Sequence, residues 1–168
     1  MTNDKVSIQL QKNKIMNLRI VTRVITYDPE SRKILLVKNK DQDFWYPPGG
    51  GWHYGTESLL ECARREVKEE TDLDIDISRL LYLQEFRDAP DSISLETMWL
   101  AKPQSATKLN VLHVDKDIDG KVESAKWFLK NDLQGLEVFP KRLQNTFWDN
   151  IERFLREEDP FIEASYEV

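Results

Sequence analysis

Glu66, Glu69 and Glu70 are crowded into residues 51–73 (GWHYGTESLLECARREVKEETDL), directly after a run of glycines. On a helix turning about 100° per residue, the three carboxylates fall within one arc of roughly 100° and project the same way. Arg65 precedes Glu69 by four residues, the spacing at which side chains meet on a helix surface. Like charges this close repel each other. A hard divalent cation, which takes oxygen ligands, removes the conflict. Charge runs are most often solvated faces, but the apolar residues here argue otherwise. Leu59, Ala63 and Val67 form an i, i+4, i+8 stripe that should meet a core. Glu66 and Glu70 lie within roughly 20° of Leu59 and within roughly 60° of Ala63, beside that stripe and not opposite it. Partly buried charge needs a partner, so the segment reads as an amphipathic helix carrying a metal site at the margin of the core. Ser58 followed by Glu61 supplies a capping box for its start.

The same residues resemble a known family pattern. Gly51, five residues, Glu57, seven residues, Arg65-Glu66-Val67, one residue, Glu69-Glu70, one residue, then Asp72-Leu73 is similar to the Nudix box, Gly-x5-Glu-x7-Arg-Glu-aliphatic-x-Glu-Glu-x-Gly-aliphatic. One position departs: Asp72 stands where the family has its second glycine. That glycine ends the helix in a left-handed conformation, which Asp tolerates better than most residues. The departure touches no metal-ligand position.

The resemblance implies a single α/β domain over residues 1–168, an α/β/α sandwich with a mixed central β-sheet. It implies a hydrolase dependent on Mg²⁺ or Mn²⁺ that attacks a phosphorus of a nucleoside diphosphate derivative with water. The substrate would be a nucleotide sugar, ADP-ribose, a dinucleoside polyphosphate or a nucleoside triphosphate. Glu66, Glu69 and Glu70 would be the metal ligands, with the Gly50 carbonyl completing the shell. Arg65 would orient Glu69, and Glu57 would support the site. The catalytic group is thus Arg65, Glu66, Glu69 and Glu70. The general base stays open among Glu66, Glu69 and a loop acid such as Glu96, Asp117 or Glu123. Pro90, seventeen residues after Leu73, is near the position of a proline in some ADP-ribose-cleaving members. The alternative is a non-catalytic Nudix-fold nucleotide-binding or regulatory module. Such modules usually lose box carboxylates, and all are present here.

Elsewhere the glycine triplet 49–51 lets backbone approach a ligand closely, which makes Gly49 and Gly51 candidate substrate contacts. Trp45, Trp52, His53 and Tyr54 surround it. Trp45 is placed either to stack on a base or to pack beneath the loop; His53 is expected to be a plain loop residue. Arg23 and Lys38 are candidate phosphate contacts, against the simpler reading of solubilising strand charges.

Along the chain, residues 1–16 form an extension in which VSIQL alternates and is a candidate edge or dimer strand. β-Branched residues predict a strand over 18–27, a turn at 28–31 and a returning strand over 33–38. Residues 44–46 read as a short strand. Residues 80–89 and 94–101 read as a hairpin broken at Pro90-Asp91, and 122–128 as the last core strand, followed by a short turn at 131–133. A helix is predicted over 141–157, with Leu143, Phe147, Ile151, Phe154 and Leu155 inward and Pro140 at its start. The tail after Pro160 is expected to be poorly ordered.

Asp115-x-Asp117-x-Asp119-Gly120 begins like a calcium-binding EF-hand loop. Its twelfth position is Lys126 where a bidentate glutamate is needed, and its flanks read as strands, so a solvated acidic loop is the better reading. A net charge of −6 disfavours nucleic-acid backbones and anionic membranes as partners. It leaves a small phosphorylated substrate open, since bound cations reset the local field. Cys62 is the lone cysteine; it cannot form an internal disulfide, reads as a packing residue, and points to a reducing cytoplasmic setting. No apolar run reaches membrane-spanning length, and the charged N-terminus does not read as a signal peptide. A monomer or a homodimer is expected.

Overall fold

The computed structural model describes residues 17–105 and 120–156. Residues 1–16, the acidic loop with Asp115, Asp117 and Asp119, and the tail after Pro160 lie outside the described residues. Within them the order is β1 (Asn17–Asp28), β2 (Lys33–Asn39), β3 (Phe44–Trp45), α1 (Leu59–Thr71), β4 (Ile75–Ala89), β5 (Ser92–Pro103), β6 (Val122–Phe128), β7 (Glu137–Val138) and α2 (Thr146–Arg156). Five strands form a mixed sheet in the order β4-β5-β1-β2-β6, and β3 and β7 pair separately. β1 runs parallel to β5, whereas β4 with β5, β1 with β2 and β2 with β6 are antiparallel. The expected hairpins at 28–31 and at Pro90-Asp91 are both present.

Alternation along the strands sends neighbours to opposite faces. Ile25, Ile34 and Leu36 face a core completed by Leu143, Phe147 and Ile151. Val24 and Leu35 face the other way, against Ala63 and Val67 of α1. One helix therefore covers each face, and the expected α/β/α sandwich with a mixed central sheet is what the chain forms. Each fully buried Leu, Ile or Phe contributes about 2 kcal/mol from apolar surface removed from water. No helix among the described residues is long and apolar enough to cross a membrane.

The C-terminal helix differs from expectation. Residues 141–144 form a 3-10 turn, Asn145 (φ −145°, ψ −89°) breaks the path, and α2 starts only at Thr146. Leu143, Phe147 and Ile151 are buried and Phe154 packs on the same cluster. Leu155 is 47% exposed and is not part of the inner face. At about 100° per residue it lies some 40° beyond Ile151, past the contact with the sheet.

A split in the sheet positions the site. The two register pairs joining β1 to β2 are Tyr27 with Ile34 and Asp28 with Lys33. Beyond them residues 46–52 fill the gap as an irregular antiparallel strand. On one side Tyr46 exchanges both backbone hydrogen bonds with Val37, at 2.8 and 3.0 Å. On the other, the Val24, Thr22 and Trp52 amides donate to the carbonyls of Pro48, Gly50 and Ile20 respectively, at 2.9, 2.9 and 3.0 Å. The glycine run is therefore built into the sheet.

Candidate active site

Gly49 is required by that pairing. Its φ is +145°, and a Cβ there would stand 2.0 Å from the Thr22 carbonyl oxygen. Gly50 lies directly against the helix beneath: a Cβ on it would stand 2.5 Å from Oε2 of Glu66 and would displace that side chain. The loop and the acidic face of α1 are thus in contact, and two missing side chains allow it.

The helix is fixed at both ends. The Glu61 amide donates to Ser58 Oγ at 3.2 Å and the Ser58 amide donates to the Glu61 carboxylate at 2.7 Å, the reciprocal box expected. Asp72 closes the other end at φ 57°, ψ 17°, with its amide bonded to the Lys68 carbonyl. The left-handed cap is kept without glycine, and Lys68 supports it through ion pairs to Asp72 and Asp74.

Arg65 is the hub between the helix and the loop. Nε and Nη2 donate to the two oxygens of Glu57 at 2.9 and 2.7 Å, and Nη1 reaches Glu66 at 2.8 Å and Glu69 at 3.1 Å. The expected link from Arg65 to Glu69 is present, but the bidentate pair with Glu57 is the tighter one. Hydrogen bonds donated by Arg65 hold the Glu57 carboxyl down at about 2, and the same bonds raise Arg65 further above its ordinary value. Glu66 goes the other way: burial pushes its carboxyl up, and the Arg65 hydrogen bond offsets only part of that. Glu70 is 8% exposed and accepts the Gly49 amide at 2.9 Å.

These groups line one cleft of about 1300 Å³ together with Arg23 and Glu96. Arg23 donates to Glu96 at 3.1 Å and to the Gly49 carbonyl, and lies 4.7 Å from the centre of the Tyr46 ring. Gln84 donates to the other oxygen of Glu96. Phe44, Tyr46 and Phe139 supply aromatic surface elsewhere in the cleft, with Phe44 edge-on to Phe139 at 5.1 Å between ring centres.

The structure brings Arg23, Gly49, Gly50, Gly51, Arg65, Glu66, Glu69 and Glu70 together around this cleft. It does not bring Trp45 or Lys38 there. Trp45 is buried in the core, 4.8 Å from the Phe128 ring, and so takes the packing role of its two readings. Lys38 pairs with Glu123 at 2.8 Å on the outer part of the β2–β6 pair. That pairing raises the Lys38 ammonium and lowers the Glu123 carboxyl. Glu57, expected only to support the site, pairs with Arg65 and also accepts the His53 amide, while Trp52 donates its indole N–H to the Glu57 carbonyl at 2.7 Å. Tyr54 is 85% exposed. Cys62 is buried beside Thr22, its thiol pushed up to about 11 by burial, which agrees with packing and not with reactivity. Of the three acids expected on loops, Glu96 is on β5 and in the cleft, Glu123 is on β6 and spent on Lys38, and Asp117 lies outside the described residues.

Arg19, Gln84, Phe44 and Phe139 also line the cleft and were not singled out from sequence. For Arg19 a signal existed: strand alternation puts it on the same face as Arg23. The others arrive from distant segments with no local pattern.

The donor set suits a hard divalent cation: three carboxylates from one helix face, partly buried, one of them destabilised in its charged form by that burial. As the side chains stand, no three acidic, histidine or cysteine groups among the described residues converge as a formed metal cage. Glu66 and Glu69 each use one oxygen on Arg65 and keep the second uncommitted to it.

The chain matches the NUDIX domain family over residues 17–153. It is 27% identical over 136 residues to the NAD-capped RNA hydrolase ndx-9 of Caenorhabditis elegans, covering 80% of this chain and 34% of that protein. It therefore spans about a third of that relative's length. Among solved structures, a NUDIX hydrolase from Nitrosomonas europaea superposes with a TM-score of 0.64 at 18% identity, covering 90% of this chain and 98% of the other. An ADP-ribose pyrophosphatase from Streptococcus suis superposes at 0.58 and 20% identity, covering 84% and 94%. At those identities the superpositions establish the fold.

Proposed function

The chain belongs to the NUDIX family, and from that premise we propose that it is a pyrophosphohydrolase cleaving the phosphoanhydride linkage of a nucleoside diphosphate derivative. The observation that carries this reading is the placement of Glu66, Glu69 and Glu70 on one helix face, against the glycine segment and within one cleft. A nucleic-acid or membrane surface does not suit a concave site of this acidity. A small substrate does, and the aromatic surface of Phe44, Tyr46 and Phe139 suits the flat face of a base. An NAD cap and ADP-ribose, the substrates in the names of two relatives, both contain a pyrophosphate linkage.

Glu66, Glu69 and Glu70, with the Gly50 carbonyl, would hold Mg²⁺ or Mn²⁺. Bound there, the cation would neutralise phosphate oxygens, lower the pKa of a water and stabilise charge on the leaving group. The chain's own residues do the rest. Arg65 fixes the rotamers of Glu66 and Glu69, so that the carboxylates are oriented before substrate arrives. Glu57 locks Arg65 in turn. Gly49 donates its amide to Glu70 and is itself held by Arg23, which ties the loop to the helix. Glu66 and Glu69 each keep one carboxylate oxygen uncommitted to Arg65, which leaves either able to take the proton of the attacking water, with Glu96 as the further acid in the cleft. The Gly50 carbonyl accepts the Thr22 amide at 2.9 Å, and its remaining acceptor capacity would be available to the cation. A lone thiol fits a reducing, cytoplasmic compartment.

The test is a hydrolysis screen with and without Mg²⁺ or Mn²⁺ over nucleotide sugars, ADP-ribose, dinucleoside polyphosphates and triphosphates, with products resolved by chromatography. Metal-dependent release of a nucleoside monophosphate from at least one class is expected. Folded protein that binds these compounds and turns over none of them would replace this reading with that of a nucleotide-binding module.

A further inference from the structure

Arg19, Arg23 and Arg65 are the guanidinium groups lining the cleft, and two of them are committed. Arg65 is spent on Glu57, Glu66 and Glu69, and Arg23 on Glu96 and the Gly49 carbonyl. Lys141 is paired with Glu137 and Lys121 is also engaged. Arg19 has no hydrogen-bond or ion-pair partner among the described residues, so none of its five N–H donors is spent on them.

Its position is well defined. A Cβ placed on Gly51 would stand 3.3 Å from Nη2 and 3.4 Å from Nε of Arg19, so the guanidinium lies over Gly51. The preceding residue of the loop, Gly50, is the one pressed against Glu66. The backbone beneath Arg19 is held on both sides. Arg19 is in register with Ser94 of β5, the Ile20 carbonyl accepts the Trp52 amide, and Val21 bridges to Gly51. Arg19 and Arg23 share a face of β1 and sit about 13 Å apart along the strand. An anion reaching the Glu66–Gly50 contact therefore has a free, planar, permanently charged donor array beside it.

We propose that Arg19 is a specificity-determining contact for the second phosphate of a diphosphate, the one not addressed by the Glu66, Glu69 and Glu70 cluster. The proposal rests on the hydrolytic reading above and goes beyond it, for it says how the cleft separates diphosphates from single phosphates. An exposed arginine with no partner among the described residues costs little stability to replace, so the variant's retention of fold is readily checked.

The experiment is calorimetric titration of the whole chain, in Mg²⁺ buffer, with methylenediphosphonate and separately with orthophosphate. Arg19→Ala is expected to weaken methylenediphosphonate at least tenfold and orthophosphate less than twofold. Arg19→Lys should fall between, because it keeps the charge and loses the fork. Unaltered thermal melting controls for folding. Equal losses for both probes, no loss for either, or no binding of methylenediphosphonate to the unsubstituted chain would overturn the proposal. The two readings fail separately. Turnover with Arg19-independent affinity ends this inference alone, and Arg19-dependent affinity without turnover ends hydrolysis alone.

Discussion

Arg65 occupies both oxygens of Glu57, Nε to Oε2 at 2.9 Å and Nη2 to Oε1 at 2.7 Å, across eight residues that join the glycine loop to α1. The rest of the guanidinium is what holds Glu66 and Glu69. Lysine cannot make this fork. Arg65→Lys is therefore expected to lower kcat/KM about 10- to 100-fold, the range for groups that orient metal ligands. It should cost only a few degrees of Tm, measured by calorimetry beside the kinetics.

The same pair sets an acid dependence. Glu57 is lowered from 4.5 to about 2, so the folded state favours its charged form. The sign follows: the pair's contribution is complete above pH 4.5 and is lost as pH falls from there towards 2. Glu57→Gln should be less stable than the parent by about 1 kcal/mol at neutral pH, allowing for solvent screening of a partly exposed pair. Urea unfolding at stepped pH should show that gap closing between about pH 4.5 and 2. A gap that widened on acidification would mean Glu57 is not held as its charged form.

Glu70→Gln keeps an acceptor for the Gly49 amide and removes a charge from the helix face. Turnover should fall by about a hundredfold or more, while Tm without added metal stays level or rises, since one like-charge repulsion is relieved. An unchanged rate would remove Glu70 from the ligand set.

Neighbouring glycines should fail differently. Gly49→Ala places a methyl 2.0 Å from the Thr22 carbonyl at φ +145°; a loss of about 3 kcal/mol or more is expected, visible as poor soluble yield or a strongly lowered Tm. Gly50→Ala meets only the Glu66 side chain, which can swing away. That variant should fold and lose activity, and equal melting losses for the two would contradict the placement.

Cys62 should resist alkylation. With its thiol buried and raised to about 11, iodoacetamide at pH 8 should label it at least tenfold more slowly than after denaturation in urea. Rapid labelling of the native chain, followed by mass spectrometry, would show that the interior between Thr22 and Gly51 opens readily.

What the sequence disclosed about this fold was local. Three glutamates on one helical arc, Ser58 and Glu61 as a reciprocal cap, and Asp72 accepting a left-handed cap all depend on residues within one or two turns. So do the hairpins at Asp28 and Pro90. What stayed hidden depended on distant partners. Nothing in FWYPPGGG says that residues 46–52 will lie between β1 and β2, because backbone pairing there is made by glycine and proline, which carry no hydrophobic period. Trp45 was legible as an aromatic beside the loop, yet its direction was fixed only when Phe128 arrived beneath it. Lys38 and Arg23 looked equivalent on the opening strands. Glu123 claims one of them on the outer β2–β6 pair, and Glu96 draws the other into the cleft. In the C-terminal segment the apolar period ran through Asn145, where the chain actually changes direction so that Leu143 and Phe147 can both be buried.

A segment hydrogen-bonded along both edges cannot be lifted off its substrate like a flap. Raising residues 46–52 would break the Val37–Tyr46 exchange on one flank and the Thr22 and Val24 bonds on the other, and would open the middle of the sheet. The floor of the cleft is thus as durable as the domain itself. Ligands must enter and leave past the rim, and the Thr22 and Val24 amides should surrender their protons to solvent only when the whole molecule unfolds.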